Sequence, residues 1–201
     1  MNLSDNLLIW LGRGCDHRAV AARSRTVGNE QEHRVTVAIQ QLIWRVENIR
    51  DAFHRAVFVD RDVDAAMAAA GSDCTFAYSP MGTGAGPDGL RAFLTDDVLP
   101  HLPAGLTFRR VTRTADQRRV VEENLVSFTH DRDLPWLLPG IPATGRDVEV
   151  RAVSIAAFKH TTHLGDISTR ITSYRVLWDL WSTLTQLDAD PAMLHRPAVP
   201  L

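Results

Sequence analysis

Three strand-like runs with alternating side chains, interrupted by one loop rich in proline, glycine and tryptophan, dominate the second half of the 201-residue chain. The runs cover about 118–131, 147–159 and 167–179, and the loop follows the first of them. Because successive side chains of a strand point to opposite faces, the even-numbered residues of the first run share one face. Acids, an amide and an imidazole stand among the hydrophobic residues there, which predicts a concave sheet surface around a polar-lined pocket. The face consists of Val120, Glu122, Asn124, Val126, Phe128 and His130.

The residues before these runs predict helices. Apolar side chains recur at helical spacing over 36–58, which indicates a long amphipathic helix. A short helix, a strand at 74–80, a third helix from Pro87 and a strand near 105–114 are expected to follow. Helices followed by a four-strand antiparallel meander are typical of an α+β fold.

The glycine-rich stretch 81–89 (MGTGAGPDG) is read as a turn. It lacks the Lys-Ser/Thr ending of a phosphate-binding P-loop, and its glycines do not fit the GxGxxG pattern. A nucleotide site is therefore not expected there.

The segment FTHDRDLPWLLPGIPATGRDVEV, together with YRVLWDLWSTLTQLD, resembles the SnoaL-like, polyketide-cyclase-like branch of the nuclear transport factor two-like superfamily. The resemblance covers about 45–188 and is dense from Val121 onward. It implies an α+β cone, in which a curved antiparallel β-sheet wraps around a long N-terminal helix. It implies much less about the reaction, because one such frame hosts cyclases, dehydratases, isomerases, epoxide hydrolases and non-catalytic binders.

This resemblance sets the expected domain organisation. Residues 1–34 are predicted to be an N-terminal extension, either flexible or docked on another subunit by its apolar start at 7–11. The SnoaL-like domain is expected at 35–188, and residues 189–201 are expected to form a C-terminal tail.

Composition and charge limit the kinds of molecule that the protein is expected to bind. The net charge of -2 and the pI near 6.4 give no reason to expect nucleic acid or a membrane as partner. Two isolated cysteines, Cys15 and Cys74, suggest neither a disulfide framework nor a zinc site, and a cytoplasmic location is expected. No cofactor fingerprint is present, so we expect a chain without cofactor or metal that forms a homodimer through its sheet.

His130, at the end of the first run and next to Asp131, is the first candidate for catalysis. An imidazole near its ordinary pKa exchanges protons at neutral pH. In SnoaL-like cyclases a histidine after the corresponding strand takes part in acid/base chemistry, and His130 resembles it in placement. We predict that Asp131 orients His130 and that Asp179 or Glu122 supplies the carboxylate. The alternatives are that His130 anchors the loop and that Asp179 caps the following helix.

Two positions depart from the family that the chain resembles. Ser154 stands where the cyclases carry their general-base aspartate, and a serine hydroxyl is not a base at pH 7 without an activating neighbour. Tyr174 and Arg175 replace a glutamate and a histidine of the related subgroup. The Asp-Arg-Asp arrangement of epoxide hydrolases is not found either, so such a reaction is not expected.

A mostly aromatic set of side chains is expected to line the pocket and bind substrate, with Trp136 closing its mouth. An enclosed pocket excludes water and shifts the pKa of carboxylates toward neutrality. We predict a cofactor-independent enzyme that acts on a small, largely apolar carbonyl or polyketide-like compound by cyclisation, dehydration or isomerisation. The alternative is a non-catalytic small-molecule-binding or assembly module of the same fold. The expected lining residues are Trp136, Tyr78, Phe128, Tyr174, Trp178 and Ser154.

Overall fold

The computed structural model describes residues 17–79 and 82–194, which form helices and one sheet. The α-helices are α1 (His17–Arg55), α2 (Val63–Ala69), α3 (Gly86–Ala92) and α4 (Leu180–Leu187). The strands are β1 (Ala70–Ser79), β2 (Gly82–Ala85), β3 (Thr107–Ala115), β4 (Arg119–Thr129), β5 (Asp147–His163) and β6 (Asp166–Trp178). Turns of π-helix at Ala56–Asp60 and Phe93–Val98 continue α1 and α3, and 3-10 turns lie at Leu99–His101 and Pro191–Met193.

The predicted α+β class is confirmed, and β3 to β6 form the predicted antiparallel meander. The expectation of a wholly antiparallel sheet is wrong for one pair, because β1 lies parallel to β6 in the order β2-β1-β6-β5-β4-β3. A parallel pair needs a long crossover, and the chain from α3 to β5 supplies it. Register shifts leave extra residues in β1, β3 and β6, irregularities of the kind that bends strands.

The glycine-rich stretch contains a strand as well as a turn. Gly82–Ala85 pairs with β1, and Gly84 lies opposite Phe76. A Cβ at Gly84 would lie 2.1 Å from the Phe76 ring, so only glycine lets that ring pack across β2. The sequence shows the glycines but not this cross-strand ring, which is why a turn alone was predicted.

Helix α1 is longer than predicted and starts at His17 instead of near residue 36. Its first half lacks an apolar period but is rich in Ala, Arg, Glu and Gln, which favour helix by intrinsic propensity. The chain divides into two compact units between Ile39 and Gln40, whereas the sequence placed the domain start at 35. The predicted boundaries remain predictions. The apolar start at 7–11, Cys15 and the end of the predicted tail lie outside the described residues.

The core lies between the second half of α1 and the even-numbered face of β4, as the alternation predicted. Phe53 of α1 packs on Tyr174 of β6 with ring centroids 4.9 Å apart. Along β4 the even-numbered residues from Val120 to Phe128 are buried, and so is His130. Among the described residues, no helix is long and apolar enough to cross a membrane.

Candidate functional site

A small cavity lies between α1 and the inner face of the sheet, and it corresponds to the pocket that the sequence predicted. Its volume is about 10 Å³, roughly the space of one water molecule. Three predicted substrate-binding residues, Ser154, Tyr174 and Trp178, line it. The other lining residues are Arg50, His54, Phe58, Phe108, Asn124, Ala152 and Val176.

Glu122 is buried beside this cavity with its carboxylate fully engaged. Arg50 Nη2 lies 2.6 Å from Glu122 Oε1, and Arg113 Nε donates a hydrogen bond of 2.6 Å to Oε2. Asn124 Nδ2 donates to Oε1 at 2.9 Å, and Arg110 Nη1 lies 3.8 Å from Oε2. A buried carboxylate needs such partners, since its desolvation costs several kcal/mol. Because these donors occupy its oxygens, Glu122 is suited to hold arginines in place and poorly suited to accept a substrate proton.

A second carboxylate, Asp51 of α1, contacts both arginines and ties Arg113 of β3 to the helix. Arg50 Nη1 lies 3.2 Å from Asp51 Oδ1, and Arg113 Nη1 donates to Asp51 Oδ2 at 3.1 Å. Burial raises the pKa of Asp51, but hydrogen bonds from Arg113 and Arg50 outweigh burial and hold this pKa below its usual value. Asp51 therefore stays charged at neutral pH.

Arg50 also reaches the sheet on the far side of the cavity. Its Nη2 donates to Ser154 Oγ at 3.1 Å, while its Nε is buried with no hydrogen-bond partner. The Ser154 oxygen accepts this bond, and the Ser154 hydroxyl is also a hydrogen-bond partner of Tyr174. Ser154 is therefore polarised by a guanidinium in place of a base.

His54 lies one helical turn after Arg50 on the same face of α1. Its ring contacts Phe58 and, edge-on, Phe108, with centroid distances of 4.9 and 4.6 Å. Burial and then the charge of Arg50 lower the pKa of His54 from 6.5 to about 4. Its Nδ1 is buried with no hydrogen-bond partner. At neutral pH His54 is thus an uncharged imidazole at the cavity wall.

The tyrosines next to the cavity remain protonated phenols. Tyr174 lines the cavity, and its ring centroid lies 6.4 Å from that of Tyr78. Burial raises the pKa of both, that of Tyr78 well above its usual value. The Tyr78 hydroxyl is buried without a partner, and so is Trp178 Nε1. Cavity-lining residues supply three of the five buried side-chain polar atoms that lack a partner within the described part of the chain: Arg50 Nε, His54 Nδ1, Tyr78 OH, His130 Nε2 and Trp178 Nε1.

His130 is fully buried but is not one of the residues that line the cavity. Its Nδ1 lies 3.2 Å from Thr144 Oγ1, and burial lowers its pKa. Its backbone N–H donates to the Arg146 carbonyl at 2.8 Å, and its own carbonyl accepts from the N–H groups of Thr144 and Gly145. These contacts close the base of the loop at 130–146 and match the loop-anchoring alternative. A catalytic role for His130 stays a prediction.

The expected orientation of His130 by Asp131 is wrong in this structure. Asp131 accepts hydrogen bonds of 3.0 and 2.9 Å from its neighbour Arg132 and one of 3.3 Å from the Ala104 backbone N–H. The hydrogen bond from Arg132 lowers the pKa of Asp131 to about 2. Adjacent residues of an extended chain point to opposite sides, so Asp131 faces solvent while the His130 ring is buried.

Asp179 is not brought to the cavity either. Its Oδ1 accepts a hydrogen bond of 3.0 Å from the Ser182 N–H, which makes it the N-cap of α4, the alternative left open by the sequence. The predicted arrangement of His130 and Asp179 around one cavity is therefore not present. A catalytic role for Asp179 remains a prediction that no contact supports.

Trp136 lies behind the cavity wall, and the expectation that it closes the mouth is wrong. It is 2% exposed, and its ring centroid lies 5.8 Å from that of Trp178 and 5.9 Å from that of Tyr78. Its Nε1 donates to the His101 carbonyl at 3.5 Å. Phe128 is also buried in the core, and neither Phe128 nor Tyr78 lines the cavity.

Arg50, His54 and Arg113 were missed by the sequence reasoning. Arg50 and His54 fall within the apolar stripe of α1, next to Phe53 and Val57, and polar residues in such a stripe are a usable signal. The pairing of Arg113 with Glu122 depends on the β3–β4 register, which the sequence does not show. No cluster of His, Cys, Asp and Glu suited to a metal ion occurs within the described residues.

No family model and no curated protein matches the sequence significantly. Solved structures are similar to it in fold. A candidate polyketide cyclase from Xanthomonas campestris pv. campestris superposes with a TM-score of 0.54 at 20% identity, covering 73% of this chain and 98% of the other. A candidate SnoaL-like polyketide cyclase from Jannaschia sp. CCS1 gives 0.50 at 16% identity, covering 71% and 93%.

A protein of ketosteroid isomerase-like fold from Catenulispora acidiphila DSM 44928 also gives a TM-score of 0.50, at 14% identity, and the match covers 71% of this chain and 93% of the other. At these identities the likenesses show a shared fold and no shared chemistry. The chain has the SnoaL-like form of the nuclear transport factor two-like fold, as the sequence predicted.

Proposed function

We propose that this protein is a cofactor-independent enzyme that transfers protons on a small, largely apolar carbonyl compound, with His54 as the general base. The observation that carries the proposal is an uncharged imidazole with an unpartnered, buried Nδ1 at the wall of a cavity that also contains a guanidinium. This assignment moves the base from His130 on β4 to His54 on α1. Glu122 then acts as a positioning residue for Arg50.

The proposed step starts with the removal of a proton from the carbon next to the carbonyl. The C–H bond breaks, the proton passes to His54 Nδ1, and the electron pair moves to the carbonyl oxygen, giving an enolate. The hydroxyls of Ser154 and Tyr174 line the same cavity and donate to that oxygen, with the charge of Arg50 behind Ser154. Donors placed where charge develops are among the strongest contributors to catalysis.

The low pKa of His54 is consistent with this role. In the free protein the base is unprotonated and ready at neutral pH, although it is a weak base. Negative charge that develops on the substrate raises the pKa of a nearby imidazole, and this strengthens the base as the reaction proceeds. Return of the proton to another carbon gives isomerisation, whereas loss of a leaving group gives dehydration and attack on a second carbonyl gives cyclisation.

A substrate needs more room than the cavity offers, so aromatic side chains must move. Phe58 and Phe108 are the partly exposed rings of the wall, and Phe58 lies in the π-helical turn Ala56–Asp60. Turns of π-helix are frequent at functional sites. We propose that rotation of Phe58 and Phe108 opens the cavity.

Exchange of the α-protons of 2-tetralone in D2O, followed by proton NMR, tests the proposal without knowledge of the natural substrate. His54→Phe keeps a ring against Phe58 and Phe108 but removes the base, and we expect it to lower enzyme-catalysed exchange by about 100-fold or more. The same substitution at the exposed His163 is the matched control and should leave the rate unchanged. Full exchange activity in a folded His54→Phe variant would rule out this base.

A non-catalytic binding or assembly module of the same fold is the second candidate. It is favoured by the small cavity and by a Glu122 carboxylate that is occupied by arginines. A module of this kind would show a ligand-induced rise in Tm but no exchange above the buffer rate for any ketone. The two measurements together separate the candidates.

We also propose a homodimer through the outer face of the sheet in a cytoplasmic protein. Val121 on β4 and Leu177 on β6 are 36% and 45% exposed, and burial of apolar area contributes about 25 cal/mol per Å². Light scattering at micromolar concentration should give twice the mass of one chain. A monomer would contradict this assembly.

A further inference from the structure

Two buried N–H groups in the cavity lining can only donate hydrogen bonds. Arg50 Nε and Trp178 Nε1 both lack a partner, and neither a guanidinium nor an indole nitrogen can accept a hydrogen bond. A molecule that satisfies both must bring acceptor atoms. This requirement comes from α1 and β6 independently, because each element contributes one of the two donors.

The guanidinium of Arg50, in the lining itself, favours an acceptor with a negative charge. Of the described residues that line the cavity, only Arg50 is charged at neutral pH, since His54 is uncharged there. Behind the lining, Arg113 and Arg110 lie within 4 Å of Glu122, the fully buried carboxylate of the cluster, while the more exposed Asp51 and Glu47 also pair with Arg113. The remaining lining is mostly apolar: Phe58, Phe108, Ala152 and Val176.

We propose that the cavity binds an apolar monocarboxylate, with its two carboxylate oxygens accepting from Arg50 Nε and Trp178 Nε1. The inference rests on the proposed function, because it names the substrate class of the same site: a keto acid whose ketone faces His54 and whose carboxylate does not react. The apolar side chains enclose the body of the molecule, and the hydroxyls of Ser154 and Tyr174, which hydrogen-bond to each other in the free protein, turn to the ketone oxygen. The two ends of the substrate thus use separate donors.

Isothermal titration of the full chain with benzoate and with benzamide at pH 7.5 tests the need for charge. The two probes have nearly the same size and shape, so a cavity that selects only apolar bodies binds them equally. We expect benzoate to bind at least about 10-fold more tightly, because a charged hydrogen bond is roughly twice as strong as a neutral one. Equal affinity, or no detectable benzoate binding, overturns the inference.

Tryptophan variants locate the site. Trp178→Phe keeps an aromatic ring but removes Nε1–H, and we expect it to weaken benzoate binding about 5-fold or more, in line with the loss of one charge-assisted hydrogen bond. Trp181→Phe is the matched control, because Trp181 is 73% exposed on α4 and does not line this cavity. Equal affinities of both variants and the native chain would place benzoate elsewhere and overturn the inference.

Benzenesulfonate, which stays anionic at all pH values used, tests whether the anion lies near His54. The charged groups that face His54 are Arg50 and Asp51 of α1, Arg113 of β3 and Glu122 of β4. An added anion favours the protonated imidazole, so benzenesulfonate should bind more tightly as the pH falls from about 7 to about 5. His54→Phe should remove this rise, and an unchanged pH profile in that variant overturns the placement.

Failure of this inference is distinguishable from failure of the proposed function. If benzoate binds with the expected selectivity and 2-tetralone exchange does not depend on His54, the carboxylate site stands and the proton-transfer function falls. If exchange depends on His54 and benzoate binds no better than benzamide, the function stands and the carboxylate inference falls.

Discussion

The regions around His54 and His130 both bury an imidazole. Comparing them shows that burial alone does not identify a catalytic histidine. Burial lowers the pKa of both, and both have one buried ring nitrogen without a partner. His130 has backbone bonds to Arg146, Thr144 and Gly145, which hold a loop. His54 instead stands on a helix next to a guanidinium, at a cavity. A candidate base is therefore identified by whether its unpartnered ring nitrogen lies where a substrate can bind. A sequence pattern does not show this.

The largest expected effect concerns the charge cluster that distinguishes the His54 region. Glu122→Gln leaves Arg50 and Arg113 without their shared buried carboxylate, and breaking a buried pair from one side costs about 3–5 kcal/mol of unfolding free energy. Urea denaturation followed by circular dichroism measures it. Glu123→Gln is the matched control, because Glu123 points to the other face and pairs with a largely exposed Arg151. It should cost at most about 1 kcal/mol.

A loss of less than 1 kcal/mol in Glu122→Gln would show that the arginines find other partners. In that case Arg50 would not be held in place next to His54, and its charge would not set the pKa of His54. The two histidines would then differ less than their contacts indicate.

The next effect is the dependence of stability on pH through His54. Its folded-state pKa is about 4, below the unfolded value of 6.5, so the unfolded chain binds the proton first as the pH falls. The free energy of unfolding therefore does not depend on His54 protonation above pH 6.5. It falls as the pH drops from about 6.5 to about 4, by at most about 3 kcal/mol. His54→Phe should flatten this part of the profile.

NMR titration of the His54 ring checks the same value directly. A midpoint near 6.5 would mean that the ring is solvated and that the cavity does not shield it.

The smallest effect is expected at His130. His130→Asn removes the contact with Thr144 Oγ1 but leaves the backbone bonds that close the loop. We expect a loss of about 2 kcal/mol of unfolding free energy, about 1 kcal/mol from the hydrogen bond and the rest from the cavity left by the smaller side chain. Exchange on 2-tetralone should be unchanged. A 100-fold loss of exchange without a change in Tm would restore His130 as the catalytic histidine and reverse the comparison.

The sequence predicted the fold well because the fold depends on periodicity. Alternation along β4 identified the buried face from Val120 to His130, and helical spacing identified the second half of α1. These signals are local. They show which side of a strand or helix is apolar, and that side must be buried when the element packs.

The sequence predicted the site less well because the site depends on partners that are distant in the chain. Glu122 on a buried face requires cations, but the choice of Arg50 and Arg113 depends on helix placement and on strand register. His130 was chosen as a candidate partly because Asp131 is next to it in the sequence. In the structure the Asp131 carboxylate accepts a hydrogen bond from Arg132 instead. Adjacency in sequence is a poor guide to contact in a strand, because neighbouring side chains diverge.

The parallel pairing of β1 with β6 also affects how the chain folds during synthesis. Thr75 of β1 bonds to the Thr172 carbonyl of β6, which is 97 residues later. Until β6 has left the ribosome, β1 and β2 have no sheet to join, and Tyr78 lacks its contact with the Tyr174 ring. Nascent chains that await such distant partners are prone to aggregate and are candidates for chaperone binding. A chain truncated before β6 should therefore fail to fold, although most of the helical and sheet residues are already present.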